Sequence, residues 1–280
     1  MSIRIITDSA SDMSEKESKY LKVLPLTVTF GETEYLDGVT LSSKEFYEKL
    51  IENDELPKTS QVGPYDFEQA IQEVIDAGDT PLVITLSSKL SGTYNSAQIA
   101  ASAFDDKIYV VDSENVCIGE RILVEYAIRM IEAGKEVQEI AEELERAKKE
   151  ICLVALLDTL EYLRKGGRIS NVSGFVGGML SIKPVIGIKD GVVETLGKAR
   201  GSKNANNLLS QQIMQAGGID FEMPYAVAYS GLDDSLVQKY VKDNEHVWKP
   251  YTDELEIRVV GSTIGTHAGP GAIAVAYFRK

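Results

Sequence analysis

Three stretches of the chain gather hydroxyls, amides or an imidazole where the backbone is free to turn. In the first, Leu82 to Leu86 is an apolar, β-branched run suited to a strand buried on both faces. Ser87, Ser88, Ser91, Gly92 and Thr93 follow as a hydroxyl-rich turn, and Asn95 to Ala101 reads as the first turns of a helix. Unpaired N–H groups and partial positive charge at such a helix start suit a carboxylate or a phosphate. Ser91 serves equally well as a simple helix cap, and both readings stay open. In the second stretch, Lys58-Thr59-Ser60-Gln61 offers further hydroxyls on what reads as a short polar loop. In the third, Gly261 to Gly271 is a glycine-rich loop between two strands and carries His267, one of only 2 histidines. Little bulk surrounds this imidazole, which is free to donate to an anion or to serve structurally. Asp8 and Ser9 follow the strand-like run Ile3 to Ile6 and either line a cleft beyond it or form a turn.

Other chemistries find little support. The Gly261 to Gly271 segment has neither the Lys-Ser/Thr ending of a P-loop nor the G-x-G-x-x-G order of a dinucleotide site. Ser91, His267 and Asp8 or Asp112 could be imagined as a hydrolase triad, but the G-x-S-x-G elbow is missing. Cys117, Cys152, His246 and His267 match no metal-ligand spacing, so no metal site is expected, and both cysteines read as buried structural thiols. A formal net charge of −14 argues against general binding to nucleic acid or to an anionic membrane surface. No apolar run is long enough to span a bilayer and no secretory leader is evident, so a cytoplasmic protein without stable membrane insertion is expected. Charge is unevenly placed, with eight Lys/Arg against two acids between Arg164 and Lys203. That segment steers anions or is merely a solvated surface.

The elements that must position these residues are α/β in kind. Strand-like runs at Ile3 to Ile6, Leu82 to Leu86 and Lys107 to Val111 alternate with helical patterns at Ser43 to Asn53, Tyr65 to Ala77, Gly119 to Ala133 and Val137 to Lys149. Ser14 to Tyr20 also reads as helix-like, and Val23 to Phe30 as one edge strand bent at Pro25. This predicts a three-layer α/β/α domain with a mostly parallel sheet over residues 1–150. Residues 151–280 read as a second, two-layer α/β domain with a mixed sheet, because Asp190-Gly191 joins Ile182 to Ile188 and Val192 to Leu196 as an antiparallel hairpin. Arg164 to Ser170 is a basic loop, and Phe175 to Leu180 is apolar and helix-like.

Together these segments resemble the DegV family, which includes the fatty-acid-binding subunits of bacterial fatty acid kinase. The resemblance rests on ITDSASDM (Ile6 to Met13), KTSQ (Lys58 to Gln61), SSKLSGTYNSA (Ser87 to Ala97), VVDSE (Val110 to Glu114), LEYLRKGGRIS (Leu160 to Ser170), LSIKPVI (Leu180 to Ile186) and GTHAGPGA (Gly265 to Ala272). It implies a long-chain fatty acid lying between two domains, with its carboxylate held by Thr59, Ser91 and the Gly92 N–H, and His267 close by. A separate ATP-dependent kinase subunit would phosphorylate the bound acid. The chain itself would be non-catalytic and without a cofactor, and Arg168 and Arg200 would meet the partner or the incoming phosphate. Val62-Gly63 depart from the Pro-Ser that follows TSQ in many relatives. Phe175, Met179 and Ile264 are candidates for the acyl tunnel or for ordinary core. A serine hydrolase using Ser91 and a small-molecule sensor are the alternative functions.

Overall fold

The computed structural model describes residues 2–53, 55–105, 107–169, 182–253 and 255–280. The predicted helix-like stretch at Phe175 to Leu180, with Phe175 and Met179, lies outside them. The strands are β1 (Ile3–Asp8), β2 (Leu21–Leu24), β3 (Thr27–Phe30), β4 (Thr33–Leu36), β5 (Lys58–Ser60), β6 (Thr80–Thr85), β7 (Tyr109–Asp112), β8 (Ile151–Leu156), β9 (Ile182–Lys189), β10 (Val192–Arg200), β11 (Tyr225–Tyr229), β12 (Ile257–Val259) and β13 (Ile273–Phe278). The helices are α1 (Ser43–Glu52), α2 (Pro64–Asp76), α3 (Thr93–Ala101), α4 (Ile118–Glu132), α5 (Val137–Ala147), α6 (Glu161–Lys165), α7 (Ser202–Gln215), α8 (Ser235–Asp243), α9 (Glu245–Trp248) and α10 (Ser262–Ala268).

The fold is α/β with two principal sheets. Parallel strands in the order β2-β1-β6-β7 form the first. Alternation along its strands sends Ile5, Leu82, Ile84 and Val111 towards α4 and α5, and Ile6 and Val83 towards α2 and α3, which gives three layers. The second sheet is mixed, in the order β10-β9-β8-β13-β11-β12. One of its faces carries Val154, Leu156, Val185, Val227, Val275 and Tyr277, packed with buried residues of α7, α8 and α9. The other carries Leu153, Ala155, Ile186, Ala226, Ala228, Ala272, Ala274 and Ala276 and joins the core shared with α4. Residues Ile118 to Val124 of α4 are all buried, as expected of a helix enclosed on every side. Arg121 among them is ion-paired with Glu17 and Glu125. The Asp190-Gly191 turn has φ values of 49° and 78°, the left-handed pair that a two-residue hairpin requires.

Four sequence expectations change. Val23 to Phe30 is not one strand: β2 ends before Pro25 in the parallel sheet, and β3 begins a separate antiparallel sheet, β4-β3-β5. Proline lacks the N–H needed to continue the ladder, so the chain changes sheets there. Lys58 to Ser60 is accordingly β5, paired with β3, and not a loop. Most of Ser14 to Tyr20 is irregular, with a 3₁₀ turn at Glu15–Glu17. Residues Ser262–Ala268 of the glycine-rich segment form α10 and not a loop.

Candidate functional site

The polar candidates gather where α10, β5 and the loop after β6 meet. Thr59 is a β-branched residue in the middle of β5, opposite Val28. Its hydroxyl lies 2.9 Å from His267 Nε2, across 208 residues of sequence. That contact requires α10 to stand beside β5, and carboxylates from the first half of the chain set it there. Asp37 accepts from the Ser262 N–H at 3.0 Å, the Ser262 hydroxyl at 2.6 Å and the Thr263 N–H at 3.2 Å. Asp12 accepts from the Gly261 N–H at 2.8 Å, and the Tyr47 hydroxyl donates to the Val260 carbonyl at 3.1 Å. Gly265 is needed for close approach, since a Cβ there would lie 2.6 Å from the Phe46 ring and 2.7 Å from the Tyr47 hydroxyl.

Ser91 sits in the loop between β6 and α3. Its hydroxyl is 2.9 Å from the Thr93 hydroxyl and accepts the Thr93 N–H at 3.3 Å, a serine turn leading into α3, whose N-cap is Gly92. Gly92 lies close against Gln61, whose Oε1 would be 2.0 Å from a Cβ there, so a side chain at 92 would require the Gln61 amide to move. Gln61 is itself oriented by donation from Nε2 to the Ser96 hydroxyl at 2.7 Å. Arg168 reaches the same place from the loop after α6, giving its Nε–H to the Leu90 carbonyl at 3.1 Å and its Nη1–H to the Gly166 carbonyl at 2.7 Å. Arg200 is not brought there. It pairs with Ile182 at the end of the β9–β10 hairpin opposite the turn, where it is exposed.

Thr59, Ser91, Arg168 and His267 line one cavity together with the polar residues Ser60, Gln61 and Thr263, and most of its remaining wall is apolar. Leu86, Leu90, Val116 and Cys117 come from the parallel-sheet half, Leu153, Ala155, Ile186, Ile188, Val193 and Ala274 from the mixed sheet, and Ile264 from α10. Ile264 thus belongs to the wall and also packs with the core. Of the alanines on this face of the mixed sheet, Ala155, Ala272 and Ala274 line the cavity, while Ala226, Ala228 and Ala276 pack in the core shared with α4. Sequence reasoning missed the lining alanines, although the alternation in Ala272-Ile273-Ala274 carries the signal for two of them.

The electrostatics keep the imidazole neutral. Burial, followed by the charge of Arg168, pushes His267 down to about 4. Its Nδ1 is buried with no protein partner among the described residues. Asp8 is lifted to about 7, chiefly by burial, while its oxygens accept the Leu86 and Ala10 N–H groups at 2.9 and 3.0 Å. It therefore braces the loop from within, and Ser9 likewise accepts the Leu26 N–H and donates to Asp37. The imagined triad is not assembled: Asp112 holds the Ser88 and Glu114 N–H groups, and Ser91 bonds to Thr93 while His267 bonds to Thr59. Cys117 is buried and donates to Asp12 at 3.0 Å. Cys152 is only partly buried, a correction to the expectation that both thiols are enclosed. Among the described residues no His/Cys/Asp/Glu group is arranged to hold a metal, and no helix is long and apolar enough to cross a membrane.

Comparison with known proteins agrees with this architecture. The model of the DegV family matches residues 2–280. A DegV domain-containing protein of Deinococcus radiodurans is 34% identical over 282 residues, covering 99% of this chain and 98% of the relative. A Thermus thermophilus DegV family protein, described for its fatty acid binding, superimposes with a TM-score of 0.88 at 30% identity, over 99% of this chain and 100% of the other. The Streptococcus pneumoniae fatty acid kinase B3 protein, solved loaded with linoleic acid, gives a TM-score of 0.86 at 25% identity over 100% of both chains. By sequence over nearly its whole length, and by fold, this chain belongs to the DegV family.

Proposed function

We propose that the protein binds a long-chain fatty acid between a domain of residues 1–150 and one of residues 151–280, and presents its carboxylate to a separate ATP-dependent acyl kinase. The observation that carries this reading is a cavity that joins the polar cluster around Thr59, Ser91 and His267 to a mostly aliphatic wall of Leu, Ile, Val and Ala. Burying the chain contributes about 0.8 kcal/mol per methylene, so affinity needs few polar contacts. Thr59, Ser91 and the Gly92 N–H are assigned to the carboxylate, with His267 behind Thr59. Neutral donors of this kind hold a carboxylate while leaving it anionic and able to attack a phosphoryl group. Arg168 already gives two N–H groups to backbone carbonyls, so it contributes charge near the mouth without a full guanidinium clamp on the acid. It is assigned to the incoming phosphate and the exposed Arg200 to the partner, with the chain non-catalytic by itself. The fatty acid bound to the S. pneumoniae relative, and that protein's place in a fatty acid kinase, support the reading.

Mass spectrometry of the purified protein, native and then after organic extraction, tests it. A stoichiometric fatty acid of about 14–18 carbons, the range that membership of the DegV family implies, is expected, each methylene adding about 0.8 kcal/mol of burial. A protein that is empty and fails to take up added palmitate would overturn the proposal.

A further inference from the structure

One residue of the loop after β6 ties the two halves of the cavity wall together. Ser87 is fully buried. Its N–H donates to the Asn115 carbonyl at 2.8 Å, and its carbonyl accepts the N–H groups of Leu90 at 3.0 Å and Ser91 at 3.1 Å. Its hydroxyl accepts the Lys89 N–H at 3.2 Å and donates to the Gly191 carbonyl at 2.7 Å. Gly191 is the tip of the β9–β10 hairpin, so this last bond crosses from the parallel-sheet half to the mixed sheet. A Cβ on Gly191 would lie 2.6 Å from the Ser87 hydroxyl, and φ there is 78°, so glycine permits both the turn and the approach. Among the described residues, one other hydrogen bond joins residues 86–93 to residues beyond 150, from Arg168 Nε to the Leu90 carbonyl.

The apolar wall runs along this seam, with Leu86 and Leu90 on one side and Ile188 and Val193 on the other. We propose that Ser87 and Gly191 form a latch that holds the hairpin against the loop and so sets the rate at which an acyl chain enters and leaves the cavity. This rests on the fatty acid reading above. Ser87 is a positioning residue: its carbonyl fixes Ser91 and its hydroxyl fixes the opposite wall. Breaking this bond frees the hairpin from the loop, for entry and exit alike. Exchange is expected to change more than equilibrium affinity.

The test follows release of isotopically labelled palmitate from preloaded protein into excess phosphatidylcholine vesicles. Ser87→Ala should release the acid at least ~10-fold faster, with Kd changed less than ~3-fold, a kinetic split that the loss of one hydrogen bond can produce. Closing the seam again should reverse this. In the Ser87→Ala background the hydroxyl obstructing a side chain at 191 is gone, leaving the backbone strain of a non-glycine residue at a φ of 78°, and the position of a 191 Cβ lies 3.7 Å from Lys89 Cβ. That separation suits a disulfide. Adding Lys89→Cys and Gly191→Cys should therefore slow release below the wild-type rate when oxidised, and dithiothreitol should restore fast release. A merely structural Ser87 would lower thermal stability without making release depend on the redox state of the seam. Release from Ser87→Ala within twofold of wild type, or equal release from the oxidised and reduced forms, overturns the latch. If the cysteine variant does not fold, Ser87→Ala alone decides. Wild-type protein that retains no palmitate would sink the fatty acid reading and the latch with it, whereas retention with unchanged release rates sinks only the latch.

Discussion

Replacing Thr59 by Val separates two roles that one hydroxyl is asked to fill. Val is close in shape and β-branched, so β5 keeps its pairing with β3. What is lost is the 2.9 Å contact with His267 Nε2. Among the described residues His267 Nδ1 already has no protein partner, so the variant leaves the ring with no hydrogen bond to any of them. Stranding a buried polar group costs about 1–3 kcal/mol, which should appear as a lower denaturant midpoint of the unloaded protein at constant slope. If the same hydroxyl also donates to a bound carboxylate, palmitate affinity falls separately by about 1.5–3 kcal/mol, or roughly 10- to 150-fold. The double variant Thr59→Val/His267→Leu distinguishes the two losses. Removing both partners of a buried hydrogen bond is nearly neutral for stability, so the midpoint should recover while affinity does not. Lost stability with undiminished palmitate affinity would show that Thr59 only supports His267, and would refute its assignment to the carboxylate.

Three further outcomes are expected. Ala274→Leu adds three carbons to the cavity wall opposite Ala155. It should shift preference towards acids about three carbons shorter, by about 2 kcal/mol at 0.8 kcal/mol per methylene, and an unchanged chain-length profile in competition binding would count against the assigned wall. The imidazole of His267 is pushed from 6.5 to about 4, so the fold favours its neutral form. Its contribution is complete above about pH 6.5 and is lost as the pH falls towards 4, up to about 3 kcal/mol. Unloaded wild type should therefore lose that much more stability than His267→Gln between pH 7.5 and pH 4, as read from denaturant titrations, and parallel curves would refute the neutral imidazole. Gly265→Ala places a methyl against Phe46 and Tyr47, so α10 must shift. A cost of about 1–3 kcal/mol and weaker palmitate retention are expected, and a variant matching wild type in both would show that α10 is not seated against α1.

Much of the fold was legible because it is written locally. The β-branched runs of β1, β6 and β7 and the helical spacing of α2, α4 and α5 read as an alternating α/β pattern, and Asp190-Gly191 marks its hairpin without outside help. What was missed depends on distant partners. Lys58-Thr59-Ser60 has the composition of a turn and becomes a strand only because Thr27 to Thr29 pair with it. Gly261, Gly265 and Gly269 argue against a helix by propensity, which reads the segment as a loop. The site residues stood out as residue types, but their grouping did not, since Thr59 and His267 meet across the fold while Arg200 lies at the end of its hairpin opposite the turn.

Helix α10 shows why the missing part could not come from its own sequence. Seven residues with a central glycine gain little from intrinsic propensity or nucleation. Its first N–H groups are nevertheless accepted by Asp37, and the N–H of Gly261 just before it by Asp12, while its glycine allows the Phe46 and Tyr47 rings to approach. Each of these groups belongs to the first half of the chain, whereas the helix comes from the second. The contacts that hold the helix in place are thus the same ones that place His267 beside Thr59 and Ile264 in the cavity wall. The polar end of the site exists only when the two halves are together. A ligand held there contacts both halves at once, and the seam that Ser87 closes is the natural place for that contact to be broken.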